Sequence, residues 1–269
     1  MSEFAYKYGF IGMGNMGFAM LKGLLQATPA ESLTFSARNR EKMVKVEAET
    51  GVHPASSNLE CAKSSKYLIL AVKPQQYDTV IGEIREVVSA DQVILSIAPG
   101  ITIEDLGKRF GKPVRVVRAM PNTPALVGEG MTGVSFEEDQ FSEKERADIR
   151  EFFCSFGRME IVGENLMNAV VCASGSSPAY IYMIIEALAD SVVKYGLPRA
   201  SAYQMVAQTV LGSAKMVLET GKHPGELKDQ VCSPGGTTIA GVSALEEYGL
   251  RNALIKASDA CYEKCTRVK

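Results

Sequence analysis

Histidine is nearly absent from this 269-residue chain, with His53 and His223 the only two. The six cysteines (Cys61, Cys154, Cys172, Cys232, Cys261 and Cys265) include no C-x-x-C pair. Metal ligation therefore has few donors to draw on, and no metal is expected. Cys261 and Cys265, four apart on a predicted helix, read better as packed thiols than as ligands. A chain of this length has no need of disulfide staples, so reduced thiols are the expected state. No uninterrupted apolar run reaches the ~18 residues of a membrane span. The opening stretch, Met1 to Lys7, lacks the apolar core of a signal peptide and enters the first strand almost at once. Neither sign of charge dominates, since the net charge is −2 and acids and bases are interspersed. That favours neither nucleic acid nor a membrane surface as a partner. The expected location is cytoplasmic.

What is present is apolar residue at 46% against 22% charged, enough to bury a substantial core. The length fits one large domain or two ordinary ones. The chain is organised around Phe10-Ile11-Gly12-Met13-Gly14-Asn15-Met16-Gly17, in which a short strand runs into G-x-G-x-x-G and then a helix over 18–25. The first glycine permits a tight turn, the second lets a pyrophosphate approach the backbone, and the third packs helix against strand. The helix N-terminus then offers free N–H groups to phosphate. This predicts a dinucleotide site.

A second strand is expected over 33–37. A dinucleotide fold places a ribose-binding acid soon after it, yet here the chain reads Arg38-Asn39-Arg40. Paired guanidiniums suit a 2′-phosphate, so NADPH is favoured and NADH remains usable. Further strands are expected over 67–72, 93–97, 114–120, 133–136 and 159–162, with helices over 41–50 and 143–156. Three of these strands end at prolines (Pro74, Pro99 and Pro121), where a ligand crevice would open. Strands alternating with helices imply crossovers and a parallel, doubly wound α/β sheet of Rossmann type.

From Glu164 the strand patterns stop. Residues 165–173 lead to Ser174-Gly175-Ser176-Ser177-Pro178, a helix start with proline in its first turn. The helix over 179–195 is apolar nearly all round, and a remaining domain of about 100 residues cannot surround it. An obligate homodimer with an extensive helical interface follows. A second helix, 199–220, should turn Val210, Leu211, Met216 and Leu218 inward. His223 precedes Pro224-Gly225 in a turn, where a structural or exposed role is expected. The loop Ser233-Pro234-Gly235-Gly236-Thr237-Thr238 then enters an apolar helix over 239–248, and a last helix covers 251–264. Hydroxyls and free N–H groups at a helix start suit a small carboxylate, although an ordinary capped loop would read the same way. The expected division is therefore a dinucleotide-binding domain, 1–163, and an all-helical dimerisation domain, 164–269.

At that loop the sequence DQVCSPGGTTIAGV (229–242) resembles the signature of the pyrroline-5-carboxylate reductases. GFIGMGNMG (9–17), AVKPQ (71–75), MPNTPALVGEG (120–130), SGSSPAY (174–180) and HPGELKDQV (223–231) fit the same family in order and spacing. The resemblance implies reduction of Δ1-pyrroline-5-carboxylate to L-proline by hydride transfer from NADPH or NADH, the last step of proline synthesis. It also implies interlocked homodimers, open to assembly as a decamer of five dimers, with the active site between one chain's nicotinamide and its partner's loop. By motif, Ser233 and the backbone of Gly236, Thr237 and Thr238 hold the carboxylate, and Glu164 sits at the substrate pocket. Ser233 and Thr238 are the catalytic candidates, the Thr238 hydroxyl lying near the ring nitrogen. On the cofactor side the resemblance implies Ile11, Gly12, Met13, Gly14, Asn15 and Met16. Asn58 joins them, with Ala71, Val72, Lys73 and Pro74 after the third strand. Ile97, Ala98 and Pro99 follow the fourth, and Gln230 completes the set. Ser177 departs from the SGSGPAY form common in the family.

The chemistry agrees with such a site, because hydride transfer to a protonated C=N bond needs alignment more than a strong acid. A β-hydroxyacid dehydrogenase would carry a lysine on the helix entering the second domain, and the chain has none between Gly163 and Tyr182. A non-catalytic NADP sensor would keep the fold but has no use for a carboxylate loop. Cys232, beside that loop, is expected to be a packed and inert thiol.

Overall fold

Short apolar runs become the strands of a single sheet. A computed structural model describes residues Phe4 to Arg267; Met1–Glu3, on which part of the N-terminal reading falls, lie outside the described residues. β1 (Tyr6–Ile11) leads to α1 (Asn15–Leu24), and β2 (Leu33–Ser36) to α2 (Arg40–Thr50) and α3 (Asn58–Ser64). β3 (Ser65–Leu70), α4 (Tyr77–Ile84), β4 (Val93–Ser96), α5 (Ile103–Phe110) and β5 (Arg115–Met120) continue the alternation. β6 (Gly130–Ser135), α6 (Glu143–Cys154) and β7 (Gly157–Ile161) complete the sheet, whose order is β2-β1-β3-β4-β5-β6-β7.

β1 to β5 are parallel, and their register sets Ile11, Ser36, Leu70, Ser96 and Arg118 in one row at the carboxyl ends. Both faces of these strands are buried, so successive side chains enter different cores. Tyr67, Ile69 and Leu95 pack with Leu21 and Leu24 of α1 and Phe152 of α6. Leu68, Leu70 and Ile94 pack with Ile81 of α4 and Leu106 and Phe110 of α5. The doubly wound α/β architecture expected from the sequence is present, with one difference. β6 runs antiparallel to β5, and β7 pairs parallel with β6. Only a short 3₁₀ turn, Thr123–Val127, lies between β5 and β6. A parallel return takes a crossover of roughly a dozen residues or more, so this connection permits only an antiparallel one. α1 also starts earlier than the apolar pattern indicated, at Asn15 with Gly14 as its N-cap.

The chain divides into two compact units. One runs to Ser176 and takes in the chain from Tyr262; the other is Ser177–Cys261. In the first, a 3₁₀ turn (Glu164–Leu166), α7 (Met167–Val170) and a π-helical turn (Val171–Gly175) follow β7. The second unit contains α8 (Ser177–Val193), α9 (Arg199–Thr220), α10 (Pro224–Val231), α11 (Thr237–Glu247) and most of α12 (Leu250–Arg267). Among its described residues only Ala189 and Ala202 are fully buried. Leu211, Met216 and Leu218 of α9 are exposed in the single chain, contrary to the inward placement expected for them. Helical periodicity identifies an apolar face and leaves open which molecule covers it.

At the amino ends of the strands, charges are paired. The Glu145 carboxylate accepts from Lys66 Nζ (2.9 Å), from Arg115 Nη1 (2.9 Å) and, through its capping box, from Ser142 N (3.0 Å). Burial opposes the charged form, but Lys66, Ser142 and Arg115 outweigh it and hold the carboxyl down at about 2, from an ordinary value near 4.5. The folded pKa is depressed, so the stabilisation is present in full above the unfolded pKa and is lost as pH falls through the folded one. A shift of this size corresponds to about 3 kcal/mol. Glu145→Gln should therefore lower unfolding stability at neutral pH by about 2–3 kcal/mol. The deficit should narrow between about pH 4.5 and pH 2, measured by urea titration at fixed protein concentration.

Candidate active site

A cavity of about 470 Å³ opens at the carboxyl ends of β1, β2 and β3, where β2 and β3 lie on opposite sides of β1. That reversal of strand order is where an open α/β sheet accepts a ligand. The backbone ladder reaches this edge: Gly12 N donates to Ser36 O (2.9 Å), and Ala71 N to Ile11 O (2.8 Å). Gly12 has φ +98°, and a Cβ there would stand 2.7 Å from Ala71 O. At Gly17 a Cβ would lie 2.6 Å from Gly12 O, whereas at Gly14 it would meet nothing within 4 Å. The three glycines thus divide their work as the motif predicts. Gly12 turns the chain, Gly17 lets α1 close on the turn, and Gly14 leaves room for a ligand.

Of the expected cofactor residues, Ile11, Gly12, Met13 and Gly14 line the cavity, as do Arg38, Asn39, Asn58, Ala71, Val72 and Lys73. Asn15 and Met16 open α1, Pro74 opens a 3₁₀ turn, and Ile97, Ala98 and Pro99 follow β4; none of these six is in the lining. Only the first of the three proline-marked strand ends reaches this cavity, through Lys73. Arg40 is also outside the lining, and Gln230 lies on α10 with its amide donating to Glu226 Oε1 (3.1 Å).

Sequence reading missed four residues here: Ser36, Glu83, Gln76 and Lys42. Ser36 Oγ donates to Asn58 Oδ1 (2.7 Å), and Asn58 Nδ2 donates to Glu83 Oε2 (2.6 Å), which fixes the Asn58 amide across the cavity. Gln76, with its amide oxygen facing Arg38, accepts from that guanidinium. Lys42 lines the cavity from the first turn of α2. The only signal for Ser36 was its place at the end of β2, and nothing local marked Gln76 or Glu83.

Glu164 lines a second cavity of about 850 Å³ together with Thr102, Arg118 and Asn168. Its Oε1 accepts from Ile103 N (2.7 Å) and from Arg118 Nη1 (3.1 Å), the Arg118 side chain being 7% exposed. In the second unit, Gly235 (φ +69°) and Gly236 form the turn before α11, and Gly236 N donates to Ser233 O (3.0 Å). A Cβ at Gly236 would meet the Ser233 hydroxyl and force it to rotate, whereas Gly235 is the position whose positive φ favours glycine. No side chain caps α11, which leaves the first-turn N–H groups of Thr237 and Thr238 without a side-chain acceptor. Nearby, His223 caps α10, its Nδ1 accepting from Gly225 N (3.1 Å), as the structural reading expected. Cys232 is half-buried at the end of α10.

Comparison with known proteins decides the family. A model described as pyrroline-5-carboxylate reductase dimerisation matches residues 164–268, and one described as NADP oxidoreductase, coenzyme F420-dependent, matches residues 7–100. The chain is 45% identical to the pyrroline-5-carboxylate reductase of Escherichia coli K12, across 97% of this chain and 98% of that protein. The chain belongs to the pyrroline-5-carboxylate reductase family. The solved Coxiella burnetii reductase superposes with TM-score 0.91 at 33% identity, covering 97% of this chain and 98% of that one. The Plasmodium falciparum pyrroline carboxylate reductase, solved with NADP bound, gives TM-score 0.85 at 31% identity over 98% of each chain. Among the described residues no helix is long and apolar enough to cross a membrane.

The glycine geometry separates folding from binding in this pyrroline-5-carboxylate reductase family member. Gly17→Ala should cost about 1–3 kcal/mol of stability through overpacking. Gly14→Ala should cost less than about 1 kcal/mol, the loss of a tolerated N-cap. Gly14→Ala should nevertheless weaken NADPH binding by about tenfold, since its methyl enters the ligand's space. Melting curves and a nucleotide-fluorescence titration read the two effects.

Proposed function

We propose that this chain reduces Δ1-pyrroline-5-carboxylate to L-proline with NAD(P)H, the final step of L-proline biosynthesis. The observation that carries the reading is the uncapped α11 start beside the Ser233 hydroxyl, in a chain whose other unit holds a dinucleotide cavity. NADPH is the preferred cofactor, because cations and not a carboxylate follow β2. The cavity fits a dinucleotide: the bare wall at Gly14 would receive the pyrophosphate, and Asn58, fixed by Ser36 and Glu83, would face the ribose. Ile97, Ala98 and Pro99, after β4, would flank the nicotinamide. When bound, the reduced cofactor supplies the hydride.

The remaining work belongs to the chain. The Ser233 hydroxyl and the N–H groups of Gly236, Thr237 and Thr238 bind the substrate carboxylate, favoured by the positive end of α11. This fixes the C=N carbon to receive hydride on one face while the ring nitrogen, already protonated, carries positive charge. The Thr238 hydroxyl accepts a hydrogen bond from that N–H and so orients it, and Glu164 sits at the pocket edge. Alignment of this kind supplies several kcal/mol of the rate. The functional division lies between 163 and 164, and the site forms between one protomer and its partner's loop in a cytoplasmic homodimer, five of which can assemble as a decamer. Tyr182 and Met183 of α8, 59% and 68% exposed in the single chain, belong to that helical interface.

NADPH oxidation followed optically with pyrroline-5-carboxylate tests the reading. Proline-forming, saturable turnover is expected, with a higher kcat/KM for NADPH than for NADH. Folded protein that binds NADPH without turnover would leave the sensor reading instead. Thr238→Ala should lower kcat/KM by about tenfold or more while NADPH affinity stays unchanged. Sedimentation equilibrium should give at least the dimer mass.

A further inference from the structure

The nucleotide cavity contains a cation that the sequence did not single out. α2 begins at Arg40, and Asn39 caps it by accepting from Lys42 N (2.9 Å), which fixes the direction of the first turn. Residues two apart on a helix point roughly 200° apart around its axis, so Arg40 and Lys42 cannot serve the same side. The cavity takes Lys42, and Arg40 is outside its lining.

The charges around Lys42 show what it awaits. Three cations, Arg38, Lys42 and Lys73, line the cavity against one carboxylate, Glu83. Glu83 is held by the Asn58 amide at 2.6 Å. Arg38 meets only the neutral Gln76 amide, and no carboxylate pairs with Lys42 among the described residues. Elsewhere on this unit, exposed cations such as Lys22 and Lys108 do find carboxylates. A fork-shaped guanidinium and an ammonium lining one cavity beside a helix N-terminus match a phosphate monoester: Arg38 gives paired donors and Lys42 a point charge.

We propose that Lys42, and not Arg40, is the partner of Arg38 in reading the 2′-phosphate of NADPH. The assignment rests on the dinucleotide reading of this cavity. It makes Lys42 a specificity-determining residue for the cofactor.

Calorimetric titration of the full-length protein with adenosine 2′,5′-bisphosphate and with 5′-AMP tests it without depending on turnover. Wild-type protein should prefer the bisphosphate. Lys42→Ala should weaken bisphosphate binding by about tenfold and leave 5′-AMP nearly unchanged, the cost of one charge-assisted contact. Lys42→Met, which keeps the aliphatic stem, should lose as much and guards against a misfolded alanine variant. Arg40→Ala, and Lys45→Ala as a charge-matched control on the exposed part of α2, should each shift bisphosphate binding by less than about twofold. A loss in Arg40→Ala equal to or greater than that in Lys42→Ala overturns the assignment, as does bisphosphate binding unmoved by either Lys42 variant. A wild-type protein that does not distinguish the two ligands sinks the NADPH reading itself, and Lys42 with it.

Discussion

Everything at the nucleotide end depends on one close approach, that of the turn after β1 to the backbone after β3. Of the three glycines in the turn, Gly12 and Gly17 are the two where a single methyl would strike main chain, Ala71 O in one case and Gly12 O in the other. Both strands are already joined there, with Ala71 N bonded to Ile11 O. The turn therefore cannot move away without breaking the ladder, and α1 cannot start where it does unless the turn stays. The cavity is the space left over by this constraint. Its open side falls at Gly14, the one glycine of the three with nothing nearby.

The two ends of the sheet use charge in opposite ways. At the amino ends, Lys7 pairs with Asp148 (2.7 Å), and Glu145 takes both Lys66 and Arg115, so the ions satisfy one another and contribute to the fold. At the carboxyl ends of β1 to β3, Arg38 and Lys42 lack carboxylate partners among the described residues. Like charges that line one cavity without counter-ions repel and cost stability. A fold keeps such an arrangement when an anion completes it, so an inspection of pairing separates the structural end of this sheet from the ligand end.

What was legible in the sequence was what is local. The strand–glycine–helix opening, the buried runs and the Gly51 C-cap of α2, at φ +71°, all follow from chemistry within a few residues. The antiparallel β6 was legible in principle, since the nine residues between Met120 and Gly130 are too few for a crossover, but apolar pattern alone carries no direction. The Ser36–Asn58–Glu83 chain was not legible, because its partners lie 22 and 25 residues apart and meet only when β2, α3 and α4 fold. Arg40 illustrates a subtler limit. The R-N-R spelling suggested a pair of guanidiniums, yet the start of α2 falls between them and turns the second away, bringing forward a lysine that the spelling hid.

The second unit shows why its part in the proposed site is hardest to read from one chain. Its helices form as the periodicity indicates, and α9 has the expected bounds, Arg199–Thr220. Burial, however, stops at Ala189 and Ala202, and side chains such as Leu211 and Leu218 stand in solvent. Covering a leucine is worth about 1.5–3 kcal/mol, so a unit left this bare lacks much of the stabilisation its sequence was built to gain. In the proposed homodimer the same partner that supplies that burial also supplies the Ser233–Thr238 turn. The substrate loop would then be ordered by the contact that completes the fold, and loss of the interface would remove stability and carboxylate binding together.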